Sequence, residues 1–296
     1  MNKKPFLKWI GGKTQIIDKI MAKIPKEIND YHEPFVGGGS VLFSVLSDDT
    51  ITINGNIYAY DSNQNLISVY RHIQNDYKTL YSHLILLWQE YDSLKGTTKI
   101  RQPKTIDEAR TSKESYYYWN RKQFNSMENS YLKSALFIFL NKTCFRGMYR
   151  EGPNGFNVPY GHYKKTPTLL KEDKWREIHF LLKNVIFQCM DFQNSICDNI
   201  KPGDFLYLDP PYFPKNKTSF VQYTKDGFGM HNHKLLFEKI KGLEEKKILF
   251  LLSNSKVQLV LEEFKNFHIN EIECRRAIHS KNPASKAMEV LIQNYT

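Results

Sequence analysis

The sequence predicts an α/β chain: an open, mostly parallel sheet with a mainly helical insertion. Three observations carry this. Near the N-terminus, "YHEPFVGGGSVLF" and "NIYAYDSNQNLISVYRHI" each read as strand, turn, then helix. Short apolar runs return late in the chain, in "NVIFQCMD", "DFLYLDPPY" and "KKILFLLSNS". Between the two groups, apolar residues recur at helical spacing from about residue 66 to 140. Strands alternating with helices at both ends belong to one sheet, and the helical middle interrupts it.

The first strand is predicted to end at Pro34, with a helix from Ser40. The second runs to Tyr60 and is followed by a polar turn at Asp61, where Ser62 or Asn63 can cap the next helix. "LISVYRHIQNDYKTLYSHLILLWQEY" and "YLKSALFIFLN" read as helices. "SLKGTTKIRQPKTIDEARTSKES" between them reads as a flexible loop. From Cys144 to Thr168, Gly, Pro, Asn, aromatics and cations mix, as in a loop or hairpin, where function concentrates. "FHINEIECRRAI" and "MEVLIQNY" are expected as edge or antiparallel strands. The predicted division is 1–65 with 176–296 for the sheet, and 66–175 for the insertion.

A chain of 296 residues can bury a core without disulfides or metals. It has no run of about 18 apolar residues, and "MNKKPFLKWI" lacks a signal core. An intracellular location is expected, in a bacterial cytoplasm or nucleoid or inside a virus's host cell. Cys144, Cys189, Cys197 and Cys274 form no C-x-x-C pair, and His231 and His233 stand without further ligands, so no metal is expected. The 42 basic and 31 acidic residues give a net charge of +11, with 14% aromatics. That balance suits nucleic acid, where cations meet phosphate and rings meet unstacked bases, and it equally describes a generally basic protein.

"KWIGGKT", residues 8–14, ends like a phosphate-binding loop. The full motif needs a glycine where Leu7 stands, and no strand precedes it. A glycine turn at Gly11 and Gly12 capping the next helix is the plainer reading. It leaves Trp9, between Lys8 and Lys13, as an aromatic face with cations beside it. "EPFVGGGSVLF" is not G-x-G-x-x-G, because residue 42 is Leu, yet a glycine turn after a strand admits a ligand close to the backbone. Asp61 has two readings: an acceptor for both hydroxyls of a ribose, or a helix cap.

"LYLDPPYFP", residues 206–214, is the strongest feature. An apolar strand runs directly into one carboxylate, two prolines and a ring. Proline has no N–H, so the turn presents carbonyl oxygens without competing donors. Asp209 and the Pro210 carbonyl can both accept hydrogen bonds from one exocyclic amine, and Tyr212 can stack on the base carrying it.

At this point the sequence resembles the Dam-type family of DNA adenine N6-methyltransferases. The resemblance spans nearly the whole chain, through "KWIGGK", "EPFVGGGS", "YDSNQNLI", "NRKQFN", "LNKTCFRGMYR", "GFNVPYG", "DPPY", "FVQYTKDGF", "LLSNS" and "EVLIQNY" in the family's order. It implies a Rossmann-like methyltransferase sheet with an inserted DNA-recognition domain, S-adenosylmethionine as cofactor and double-stranded DNA as partner. A paired restriction endonuclease is a further candidate partner. It also implies that Trp9 and Lys13 are cofactor-site residues and that Glu33 to Gly39, with Phe35 and Gly37 between, line the methionine end. Asp61 would hold the ribose, Asp191 and Phe192 would flank the cofactor's adenine, and Asp209 would sit between cofactor and substrate. Phe220, Tyr223 and Phe228 read as pocket walls or as ordinary core.

By the same resemblance, "CFRGMYR" and "GFNVPYG" read the DNA. Arg150 is the base reader, Phe145 a wedge, Met148 a contact for a thymine methyl and Pro159 a contact for a base edge. Lys142, Lys164, Lys165, Arg275, Arg276, Lys281 and Lys286 are expected on phosphates. Arg146 departs from the family, which usually has Asn there, as in C-Y-N-G-L. Arginine prefers guanine or phosphate, so a related tetramer such as CATG stands beside GATC as the expected target. The competing readings are a catalytically idle DNA-binding protein on the same fold, and an enzyme acting on RNA or a protein amide. Replacing Arg150 by Ala is expected to relax base choice at one position by about 1–3 kcal/mol. Measured on a panel of substituted sites, a uniform loss would place Arg150 on phosphate.

Overall fold

A computed structural model describes residues 4–197, 199–213, 228–275 and 286–296. The described residues divide into two compact units. One holds residues 4–12 and 63–183, the other 13–62 and the described residues from 184 on.

The second unit is built on a seven-stranded sheet: β1 Tyr31–Glu33, β2 Ile57–Asp61, β3 Val185–Cys189, β4 Phe205–Leu208, β5 Leu249–Ser255, β6 His268–Arg275 and β7 Lys286–Gln293. Their order across the sheet is β6-β7-β5-β4-β1-β2-β3. β1 to β5 are mutually parallel, and β7 runs antiparallel between β5 and β6. The sequence explains the layering. Every residue of β4 is buried and β5 is nearly so, as expected of central strands covered on both faces. β3, at the edge, alternates at its start and exposes Ile186. Helices α1 Ile17–Met21, α2 Ser40–Leu46, α8 Phe192–Ser195, α9 Met230–Glu245 and α10 Gln258–Glu263 belong to this unit. Leu236, Phe237 and Ile240 of α9 pack with Leu206, Phe250, Val260 and Val290 in one apolar cluster.

The parallel pairing puts the C-terminal ends of β1, β2, β3, β4 and β5 on one edge. Chain order reverses between β1 and β4, the switch point where open α/β sheets bind ligands.

The first unit is helical: α3 Gln64–Ser93, α4 Ile106–Ala109, α5 Lys113–Ser126, α6 Tyr131–Thr143 and α7 Glu172–Leu182. α3 is two helices meeting at Asp76, where φ is −154° and ψ 85°. The Asp76 carboxylate accepts from Lys78 N at 3.1 Å, Thr79 N at 3.2 Å and Thr79 Oγ1 at 2.6 Å, capping the second half. Residues 4–12 join this unit because Phe6 packs on Tyr70 and Trp175, with ring centroids 5.7 and 5.4 Å away. The polar stretch before α5, expected as a flexible loop, carries α4 and is tied down. Thr97 bridges to Ser112, and Ser115 Oγ accepts from Ile100 N at 2.8 Å. The expected hairpin is formed by Glu151–Gly152 pairing with Gly155–Phe156.

Candidate active site

The edge defined by the parallel strands is acidic at the right places. β1 ends on Glu33, β2 on Asp61, Asp191 lies just past β3, and Asp209 follows β4 directly.

Asp209 is held by Lys13, whose Nζ lies 2.7 Å from its Oδ2, the two side chains being 19% and 5% exposed. Lys13 enters from a 3-10 turn over Lys13–Gln15, fixed where Lys13 N donates to Ser40 Oγ at 3.0 Å. The same ammonium lies 4.8 Å from the centroid of the Tyr212 ring. Burial, with the Glu289 charge adding to it, raises the Asp209 carboxyl to about 6 against the pull of Lys13. No phosphate-binding loop is formed by "GGKT": Gly11 turns the chain at φ 81°, and Gly12 N donates to the Trp9 carbonyl at 3.2 Å.

The turn after Asp209 is pinned from two other strands. Phe213 N donates to Asn254 Oδ1 at 3.1 Å, and Ser255 Oγ donates to the Phe213 carbonyl at 2.7 Å, both partners lying at the end of β5. The Tyr212 hydroxyl donates to Glu289 Oε2 at 2.8 Å, on β7. Pro210, between Asp209 and these anchors, is buried.

Glu33 accepts from the Tyr31 hydroxyl at 2.7 Å and is 2% exposed. Burial raises its carboxyl to about 8. The glycine turn beyond it needs its glycines: φ is 47° at Gly37 and 73° at Gly39, the left-handed region that side chains disfavour. Gly37 N donates to Asp61 Oδ2 at 3.1 Å, so Asp61 braces the turn. Asn63, not Asp61, caps α3, accepting from Leu66 N at 3.1 Å. Asp191 is exposed and caps α8, accepting from Gln193 N at 2.9 Å. Phe192 is buried and stacks on Phe35 at 5.9 Å, with Phe228 against both.

In the helical unit, Trp9 stacks on Tyr149 with centroids 5.9 Å apart. Asn141 ties the segments together: it accepts from Lys8 N at 2.9 Å, and its Nδ2 donates to the carbonyls of Lys8 at 2.7 Å and Gly147 at 3.3 Å. Phe145, Arg146, Arg150, Pro159, Lys164 and Lys165 are exposed, while Met148 and Lys142 are half-buried. Burial and the nearby Lys8 charge lower the Lys142 ammonium to about 8. Phe145 N donates to the Pro159 carbonyl at 2.8 Å, and Arg150 Nε to Asn157 Oδ1 at 2.7 Å, joining the two predicted reading segments. Arg146 sits over the Phe145 ring at 5.1 Å, with φ 56°. Arg276, Lys281, Phe220 and Tyr223 lie outside the described residues. Arg275 ends β6 and Lys286 begins β7.

A family model for D12 class N6 adenine-specific DNA methyltransferases matches residues 9–278. The chain belongs to this family. A type II methyltransferase of Methanocaldococcus jannaschii, M.MjaIII, is 37% identical over 308 residues, covering all of both chains. The Lactococcus lactis type II methyltransferase M1.LlaDCHI is 32% identical, covering 100% of this chain and 96% of its own. The Escherichia coli DNA adenine methylase is 29% identical over 99% of this chain and 95% of its own.

Three residues that anchor the turn after Asp209 carried no assignment from the sequence: Asn254, Ser255 and Glu289. Their segments, "LLSNS" and "EVLIQNY", bore the family resemblance, but only the folded sheet brings them to the turn after Asp209.

Glu33 makes a pH test. A folded-state carboxyl raised from 4.5 to about 8 contributes stability that is full below pH 4.5 and lost as the pH rises toward 8. Glu33→Gln keeps an acceptor for Tyr31 and removes the titration. Urea unfolding is expected to show the variant gaining stability relative to wild type between pH 5 and pH 8. A constant difference at both pH values would contradict this.

Proposed function

We propose that this DNA adenine methyltransferase uses S-adenosylmethionine to methylate N6 of an adenine flipped out of a short palindromic duplex site, GATC or a related tetramer such as CATG. The observation that carries the reading is Asp209, a largely buried carboxylate at the switch point of the sheet, followed by two prolines that offer no amide donor and by an anchored ring.

The residues fit the donor. The positive-φ glycines after Glu33 carry no side chain to keep a ligand from the backbone, Asp61 Oδ2 accepts from Gly37 N in that turn, and the Phe35 and Phe192 rings stack together, with Asp191 one residue before Phe192. Bound S-adenosylmethionine supplies a methyl group on a sulfonium sulfur, open to in-line displacement. The chain's own residues prepare the amine. Its lone pair is delocalised into the purine ring, so it is a poor nucleophile. Hydrogen bonds from the two amino protons to Asp209 and the Pro210 carbonyl favour a more tetrahedral nitrogen, with the lone pair localised. Because these acceptors are held before the substrate arrives, little reorganisation is left for the reaction.

Inside a duplex the amine is out of reach, so the base is extruded at a cost of a few kcal/mol. Stacking on Tyr212, worth about 1–3 kcal/mol, offsets part of that. Phe145 fits the wedge, Arg150 the base reader, and Arg146, Met148 and Pro159 the neighbouring contacts, with Lys142, Lys164 and Lys165 toward phosphate. The backbone at Arg146 is left-handed, a conformation Asn adopts more readily than Arg and one costing roughly 1 kcal/mol elsewhere. Keeping an arginine there favours a contact with guanine or phosphate, which is the reason for allowing CATG beside GATC.

Incubation with S-adenosylmethionine and unmethylated plasmid, followed by nucleoside mass spectrometry and base-resolved mapping, is expected to yield N6-methyladenine at one palindrome. Asp209→Ala should abolish the product and leave DNA binding largely intact. Methylation by that variant at the normal rate would overturn the acceptor role.

A further inference from the structure

The Tyr212 ring is fixed by a residue outside the "DPPY" segment. Its hydroxyl donates to Glu289 Oε2 at 2.8 Å across 77 residues of sequence. Glu289 belongs to β7, the antiparallel strand, where it stands opposite Ser255 of β5 on one side and Ile272 of β6 on the other. Ser255 in turn holds the Phe213 carbonyl, so the strand pair that carries Glu289 also carries the anchor of the next residue. Without these ties Tyr212 would follow two prolines with its ring free to rotate about χ1. With them, the phenol end, the adjacent backbone and the ring's Lys13 face are all set before any base arrives.

We infer that Glu289 is a positioning residue for base capture: its carboxylate holds the Tyr212 ring in the orientation that receives the extruded adenine. This rests on the function proposed above. The hydrogen bond and the carboxylate charge have different requirements. The hydrogen bond needs only an acceptor, which glutamine supplies, whereas the electrostatic effect needs the charge. Asp209 is faced by Lys13 from the 3-10 turn, Glu33 from β1, Tyr207 from β4, Tyr212 from its own turn and Glu289 from β7. Among these, the Glu289 charge pushes the Asp209 carboxyl upward, as burial does, and Lys13 opposes both.

The test is single-turnover methylation by wild type, Glu289→Ala, Glu289→Gln, Tyr212→Phe and the double variant Tyr212→Phe/Glu289→Ala. A target adenine replaced by 2-aminopurine reports extrusion. Glu289→Ala and Tyr212→Phe should each lower the rate about tenfold or more and reduce the fluorescence rise. The double variant should be no worse than either single one. Glu289→Gln should recover most of the rate at neutral pH, while the acid limb of its pH–rate profile, near pH 6 in wild type, moves to lower pH. If Glu289→Ala does not fold, Tyr212→Phe and Glu289→Gln still decide, since each retains the packing. A wild-type rate in Glu289→Ala or Tyr212→Phe, or losses that multiply in the double variant, would overturn the inference alone. Absence of N6-methyladenine with the wild-type protein would instead bring down the reading on which it rests.

Discussion

A carboxylate buried at the end of a central strand must be held, and here Lys13 holds it. The Asp209–Lys13 pair, 2.7 Å apart and almost removed from water, constrains much of the sheet unit. An uncompensated buried charge costs several kcal/mol, so Lys13 has to be delivered accurately. Ser40 at the start of α2, accepting from Lys13 N at 3.0 Å, does this. α2 in turn starts where it does because the turn at Gly37 and Gly39 adopts backbone angles that side chains resist. One ion pair thus links the N-terminal turn, the end of β1 and the end of β4.

The sheet order supplies the place for that pair. Because β1 and β4 are neighbours while the chain reverses direction of addition between them, their C-terminal ends meet at the switch point. Glu33 and Asp209 stand at those two strand ends, and burial lifts both carboxyls, to about 8 and about 6. The antiparallel β7 gives the sheet a further use. It closes the edge beside β5 and brings Glu289 to the Tyr212 hydroxyl.

Much of this was legible in the sequence because its signals are local. An apolar run broken by one acid and two prolines, as in "LYLDPPY", is chemically out of place in a plain strand turn. Glycines after a strand announce a turn with special angles, and Gly37 and Gly39 have them. The parallel core and the helical middle follow from two different periodicities. What stayed hidden depends on partners distant in sequence. Nothing near Glu289 indicates a tyrosine 77 residues earlier, and Asn254 reads as a polar residue in a buried strand until Phe213 meets it. The break in α3 was hidden differently: Asp76 caps a helix in the middle of an unbroken helical pattern. At Arg146 the sequence showed the departure from the family, but only the fold shows that the backbone there is left-handed.

The proposed mechanism requires Asp209 and the Pro210 carbonyl to accept jointly the amino protons of an extruded adenine. A crystal structure of the protein with a cognate duplex and a non-reactive analogue of S-adenosylmethionine measures this directly. The adenine N6 is expected within about 2.7–3.2 Å of both acceptors, with the base stacked on Tyr212. An extruded adenine whose amine meets neither oxygen would contradict it.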